Sequence, residues 1–468
     1  MEKLVLRDYQ EVGVQFLVDR QRAVLGDEPG LGKTVMALEA LKRLPLGSGP
    51  FLILGPKISL GVWKRELLKW YDEPCFVCSG DDSPTKRENV WTNFKQKGSF
   101  LVANYQMLDE ILARQASWQG VICDEIHLAG ILNRTTDTYK SLTQVRTRAL
   151  FLLSGTPVRK GPQDLFGPFS LINPYRFDSY HKFVGEYCIQ IKDTFGYSIE
   201  PRPKNPEEFK KVVAQYLLRR RKSKVLKDLP PKLRQAVPLI MTPVQEALYR
   251  KLESDMYVEV SNSRLVAAPS AVVSVLRQRQ LLVTPQILGS REPGAALEAL
   301  VEMAEVELDS GRSIAICTPF VSAISFIQKQ MEKLTKALYI IHGKAKEPAD
   351  NIAQRFQRDE AKRKAIIYSI KSGTSFDAYG ASTVFFVGCE WSSLDNLQAE
   401  DRVHRFGQTE PVMVYYLLYE DTVDDRIIEL LDNKTVAANW TLHIEDVLKR
   451  KKGGEKDDYR LLRDPHKR

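Results

Sequence analysis

Short apolar runs separated by stretches of helical spacing fill the first part of the chain. The runs are Ala23–Leu25, Phe51–Leu54, Phe100–Ala103, Val121–Cys123 and Leu150–Leu153, most of them closed by Gly, Pro, Asp or Ser. This is the pattern of parallel strands buried on both faces, with loops at their carboxyl ends. It returns at Ser313–Cys317, Leu338–Ile341, Ala365–Tyr368, Thr383–Val387 and Val412–Leu417. Two such α/β layers predict two similar parallel-sheet lobes in tandem. The stretch between them reads as a helical insertion with few strand-like runs. Residues 219–234 hold eight basic side chains and one acid, and Pro230–Pro231 predicts a stiff connector there. The expected division is 1–165, 166–295, 296–448 and a charged tail over 449–468.

Composition narrows the class. The 468 residues suit two or three domains, and 43% hydrophobic residues suffice for buried cores. No apolar run is long enough to cross a membrane, and the opening MEKLVLRDYQ lacks a signal-peptide pattern. A soluble intracellular protein is expected, cytoplasmic if the host is bacterial or viral, with no membrane partner. The net charge of +9 permits a polyanionic partner without requiring one. Among six cysteines only Cys75 and Cys78 form a CxxC pair. No further ligands follow nearby, so reduced thiols are expected.

Four motifs carry chemistry. Gly26-Asp-Glu-Pro-Gly-Leu-Gly-Lys-Thr34 follows the first apolar run and opens a helix. Glycines there let backbone N–H groups cradle phosphate, and the helix start adds its positive end. Asp27 stands where a strict phosphate loop has its first glycine, so Gly30 and Gly32 supply the flexibility. Lys33 is expected on the β- and γ-phosphates and Thr34 on Mg²⁺. Val121-Ile-Cys-Asp124-Glu125-Ile-His127 ends a second run in two acids. Asp124 suits the Mg²⁺ shell and Glu125 the attacking water. Leu152-Leu-Ser-Gly-Thr-Pro157 offers small hydroxyls that relay the state of the acidic motif. In Gln398-Ala-Glu-Asp-Arg402-Val-His-Arg405, two guanidinium groups three residues apart share a face if the segment is helical, and suit a developing phosphoryl charge.

The ordered set GDEPGLGKT, DEIH, LLSGTP and QAEDRVHRFGQ resembles the superfamily-two helicases. More narrowly it resembles the SWI/SNF-type DNA translocase ATPases. The narrower likeness rests on Leu6-Arg-Asp-Tyr-Gln10, on Leu217–Lys224 followed by Leu229-Pro-Pro-Lys232, on Met241–Tyr249, on Glu390-Trp391 and on the His-Arg-Phe-Gly-Gln ending. It covers roughly residues 4 to 430. Asp377 departs from the family pattern, standing in place of an asparagine. The resemblance implies two RecA-like lobes, with ATP and Mg²⁺ as cofactors. It assigns Gln10 to the adenine and places Asp27 and Gln398 with Gly30, Gly32, Lys33 and Thr34 among the nucleotide contacts. It implies Lys57, Asn104, Thr318, Lys344, Lys371 and Trp391 as nucleic-acid contacts, with duplex or branched DNA as partner. The activity it implies is an ATP-driven DNA translocase or helicase; replication, recombination or repair is the expected setting. Two alternatives stay open: an RNA or strand-separating helicase, and a nucleotide-dependent switch without turnover. The joint presence of Lys33, Asp124, Glu125, Arg402 and Arg405 argues against the switch.

Overall fold

The computed structural model describes residues 5–46, 49–70, 75–115, 117–193, 196–226, 228–254, 257–261, 264–267, 271–343, 347–371, 376–425 and 427–428. They fall into two compact units, divided after residue 227.

The first unit is built on β1 (Arg22–Leu25), β2 (Phe51–Gly55), β3 (Cys75–Cys78), β4 (Phe100–Asn104), β5 (Ser117–Cys123) and β6 (Arg146–Leu153). A hairpin, β7 (Cys188–Asp193) and β8 (Gly196–Pro203), stands apart from this sheet, and the short β9 (Leu217–Leu218) completes it. The order is β3-β4-β2-β5-β6-β1-β9, parallel throughout. Successive residues feed opposite faces. Leu52 and Leu54 join one core with Leu101 and Val121, while Phe51 and Ile53 join another with Val102 and Ile122. Each fully buried side chain of this kind contributes about 1.5–3 kcal/mol, which is why the continuous apolar runs announce the strands. The helices Phe166–Ile172, Tyr180–Tyr187 and Pro206–Tyr216 pack through an aromatic cluster in which Phe177, Phe183 and Tyr216 sit edge to face.

The second unit holds β10 (Lys232–Leu239), a ribbon of β11 (Tyr257–Ser261) and β12 (Arg264–Ala267), and β13 (Ile314–Thr318), β14 (Ala337–Ile341), β15 (Lys364–Ser369), β16 (Thr383–Val387) and β17 (Val412–Tyr419). Its sheet runs β10-β17-β16-β13-β15-β14, again parallel. The fold class read from the sequence, two parallel α/β lobes, is the one observed. Residues 166–295, read as helical, also carry strands, and β9 and β10 add one to each main sheet. The charged tail 449–468 lies outside the described residues. No helix among the described residues is long and apolar enough to cross a membrane.

Candidate functional site

In the first unit, three helices organise the site: α1 (Asp8–Arg20), α2 (Lys33–Arg43) and α3 (Leu60–Trp70). The loop Gly26–Gly32 leaves β1 and enters α2 with no side-chain cap and no acid in the first turn. The helix start therefore keeps unspent N–H donors and a positive end, the requirement for anion binding. Gly32 is left-handed at φ 81°, and a Cβ there would lie 2.4 Å from Gln10 Nε2, so only glycine fits. The Lys33 ammonium turns back onto the loop, donating to Asp27 O at 2.8 Å. Thr34 lies half-buried in the first turn of α2. Gln10 Oε1 accepts from Arg7 N at 3.1 Å and its Nε2 donates to Leu31 O at 3.4 Å, which ties α1 to the loop.

Asp124 and Glu125 follow β5. Asp124 Oδ2 accepts from Trp63 Nε1 on α3 at 2.8 Å, its Oδ1 accepts from Glu125 N at 3.0 Å, and its carbonyl accepts from the Tyr105 hydroxyl at 2.6 Å. Glu125 adopts the left-handed conformation, φ 48°, costly for a residue with a side chain and typical of working sites. Its Oε2 has no hydrogen-bond partner. Burial, followed by the charge of Asp124, raises the Glu125 carboxyl above the ordinary range; burial also raises Asp124, while Trp63 and Lys33 oppose it. A carboxylate moved in this direction gains strength as a base.

His127 lies behind this pair. Burial, then Arg159 and Lys33, push it down to about 3. It is therefore neutral, and its 3.3 Å approach to Glu125 Oε2 is not an ion pair. Ser154 Oγ accepts from Thr156 N at 2.9 Å and is in hydrogen-bond contact with His127 Nδ1, also at 2.9 Å. A Ser154–His127 contact therefore joins the LLSGTP turn to the acidic motif.

In the second unit, Gln398 lies on the helix Ser393–Glu400, and its Nε2 is buried without a partner. That helix stops before Arg402 and Arg405. Arg402 sits in a turn and Arg405 in a bend, so the helical face expected from their spacing does not form. Arg402 is buried, 4.2 Å from the Phe376 ring centroid and 5.1 Å from that of Tyr368. Its Nη1 has no partner, and burial lowers its guanidinium to about 10, still charged at neutral pH. Arg405 instead pairs with Asp377.

The described nucleic-acid candidates fall at the carboxyl edges of the two sheets. Lys57 is exposed and pairs with Asp81. Asn104 is buried and takes Gly80 N at 3.1 Å. Thr318 is fully buried at the end of β13. Lys371 pairs with Glu390 at 3.0 Å, and Arg279 lies 4.9 Å above the Trp391 ring. Lys344 lies outside the described residues. Asp27 is fully buried and gives its carboxylate to Arg220. Part of the basic run is likewise spent internally: Arg219 on loop carbonyls, Lys232 and Arg234 on Glu400. Cys75 and Cys78 share β3, each pushed up to about 11 by burial. Among the described residues, no group of three His, Cys, Asp or Glu side chains could hold a metal by itself.

Sequence reasoning missed Trp63, Tyr105 and the Arg219–Arg220 pair. Nothing in WKRELLKW marks Trp63 as a partner of Asp124, and the arginines read only as part of a basic connector.

The SNF2-related domain description matches residues 9–287, and the helicase conserved C-terminal domain matches 295–407. Two parallel α/β lobes with these domains define an ATPase of helicase superfamily two. Within that class, the chain belongs to the SNF2-related family. It is 26% identical over 465 residues to a CHD3-type chromatin-remodeling factor of Arabidopsis thaliana, covering 92% of this chain and 37% of the relative. It is 26% identical to an uncharacterized ATP-dependent helicase of Mycoplasma genitalium, covering 94% of this chain and 42% of the relative. The chain thus spans less than half the length of these relatives. A solved Sulfolobus solfataricus SWI2/SNF2 ATPase core in complex with dsDNA shares 24% identity, with coverage of 96% and 97% and a TM-score of 0.45.

Proposed function

We propose that this chain is the motor core of a DNA translocase, coupling ATP hydrolysis to movement along duplex or branched DNA. The observation that carries the reading is the first-unit site: an uncapped helix start behind Lys33, with Glu125 held in a strained backbone and its Oε2 unpartnered. Gln10 reads the adenine. Gly30, Gly32 and Lys33 hold the phosphates, and Glu125 takes the proton of the attacking water. Arg402 and Arg405 supply charge to the transferred group once they leave the aromatic box and Asp377. Gln398 joins the nucleotide contacts from the second lobe.

The residues present fit Mg²⁺. It is a hard ion that keeps several waters and binds through one or two protein oxygens plus phosphate, and Thr34 and Asp124 are such oxygens. When bound it neutralises charge on the phosphates. Trp63 then acts by orienting Asp124. Trp63→Phe is expected to raise the Mg²⁺ concentration for half-maximal ATPase about 10- to 100-fold, with metal-free nucleotide binding unchanged. A Mg²⁺ titration of turnover checks this, and an unchanged midpoint would detach Trp63 from the metal.

DNA is engaged mainly through its phosphates, by Lys57, Lys344 and Lys371, with Asn104, Thr318 and Trp391 beside them, so binding should weaken steeply with salt. We take the setting to be replication, recombination or repair. The decisive test is steady-state ATPase at fixed low salt, alone and with duplex DNA, branched DNA, single-stranded DNA, RNA or nucleosomes. Stimulation by naked duplex or branched DNA, abolished in Lys33→Ala, is the expected result. Stimulation by single strands or RNA alone would overturn the track, and a requirement for nucleosomes would move the setting to chromatin.

A further inference from the structure

The segment after β9 is laced to the phosphate loop. Leu217 and Leu218 pair with Val24 and Leu25, and the ladder continues past the strands. Gly26 N donates to Leu218 O at 2.7 Å and Glu28 N to Arg220 O at 3.1 Å. In return Arg220 N donates to Asp27 Oδ1 at 2.8 Å and Lys222 N to Glu28 Oε2 at 2.8 Å. Two side chains reinforce this. Arg219 Nη1 bridges Gly26 O at 2.6 Å and Gly155 O at 2.8 Å, which joins the loop to the LLSGTP turn. Arg220 grips both Asp27 oxygens through Nε at 3.1 and 3.2 Å.

The same Arg220 reaches α1. Its Nη1 donates to Tyr9 O, and its guanidinium lies 5.5 Å from the Tyr9 ring centroid. Gly13 makes the approach possible, because a Cβ there would stand 2.8 Å from Arg220 Nη2. Tyr9 directly precedes Gln10. One guanidinium therefore connects the residue beside the base reader to the carboxylate inside the phosphate loop, two elements that grip opposite ends of a nucleotide.

We propose that Arg220 is a positioning residue that sets the base selectivity of the ATP site by fixing the Tyr9–Gln10 element against the phosphate loop through Asp27. This rests on the assignment of Gln10 to the adenine. Adenine and guanine present opposite donor and acceptor patterns, so an amide discriminates between them only when its position is fixed to about 0.5 Å. Asp27 serves as the anchor for Arg220, and its charge is neutralised before phosphates arrive.

The test compares wild type, R220K, R220Q and the double variant D27N/R220Q. Equilibrium competition with slowly hydrolysed ATP and GTP analogues gives base selectivity, and steady-state turnover separates kcat from KM. In R220Q the ATP KM is expected to rise about tenfold and the ATP-over-GTP preference to fall about tenfold, with kcat less affected. R220K, which cannot form the forked grip, should fall between. D27N/R220Q removes both charges of the pair, so it should regain thermal stability without regaining selectivity, and it carries the test if R220Q does not fold. Full ATP preference in a folded R220Q or D27N/R220Q would overturn the proposal. A wild type that does not prefer ATP would instead overturn the Gln10 assignment.

Discussion

Glu125→Gln is expected to lower the kcat for ATP hydrolysis by about 10²- to 10⁴-fold while leaving nucleotide affinity near that of the wild type. The substitution keeps size and shape and removes only the capacity to accept a proton. Three observations point to this residue rather than Asp124. Asp124 spends both oxygens on Trp63 and on the Glu125 N–H, whereas Glu125 Oε2 has no partner. Only Glu125 of the pair carries a positive φ, and such strain persists where the surroundings demand one side-chain direction. His127 is held neutral, so it neither competes for the proton nor pins Glu125 as an ion pair. Single-turnover phosphate release with parallel calorimetric binding checks the expectation. Normal hydrolysis by the variant would remove Glu125 from the chemistry, and lost binding would give it a structural role.

The strands that build both lobes were legible because burial on two faces demands unbroken apolar runs, and Ile314–Cys317 or Phe51–Leu54 allow no other economical reading. The strands that escaped carry weak signals. β9 is two residues long, and β10 opens in a basic stretch and alternates half-buried with exposed positions, as an edge strand does. The phosphate loop and the acidic motif were legible because their chemistry is local in sequence. The charges that hold them were not. Arg220 meets Asp27 across 193 positions, and Arg234 meets Glu400 across 166. A run of arginines and lysines gives no sign of its distant partners, so it read only as a basic connector. Arg402 and Arg405 show the converse error. Spacing of three implies a shared helical face only while the helix continues, and here it ends at Glu400.

Glu400→Ala is expected to destabilise the second lobe by about 3–5 kcal/mol, the cost of leaving buried charge without its counter-ion. Glu400 is fully buried. Arg234 grips it through Nε and Nη2, each at 2.7 Å, and Lys232 adds a third contact at 2.7 Å. Burial alone would raise its carboxyl, but Arg234 and Lys232 outweigh burial and hold it far below the ordinary glutamate value of 4.5. The lowered pKa fixes the sign of the pH dependence. The contribution is complete above the unfolded value and is lost as pH falls toward the folded one, so wild type and Glu400→Gln should converge only in acid. Native-state hydrogen exchange of peptides spanning β16 and β17 localises the effect to this lobe. A loss below about 1 kcal/mol would mean that water reaches the pair and screens it. Replacing all three residues with apolar ones of similar volume should recover most of the stability. If that triple variant is stable yet its ATPase is lost, the cluster is kept for function: it fixes the end of the helix two residues before Arg402, and with it the place from which that guanidinium must act.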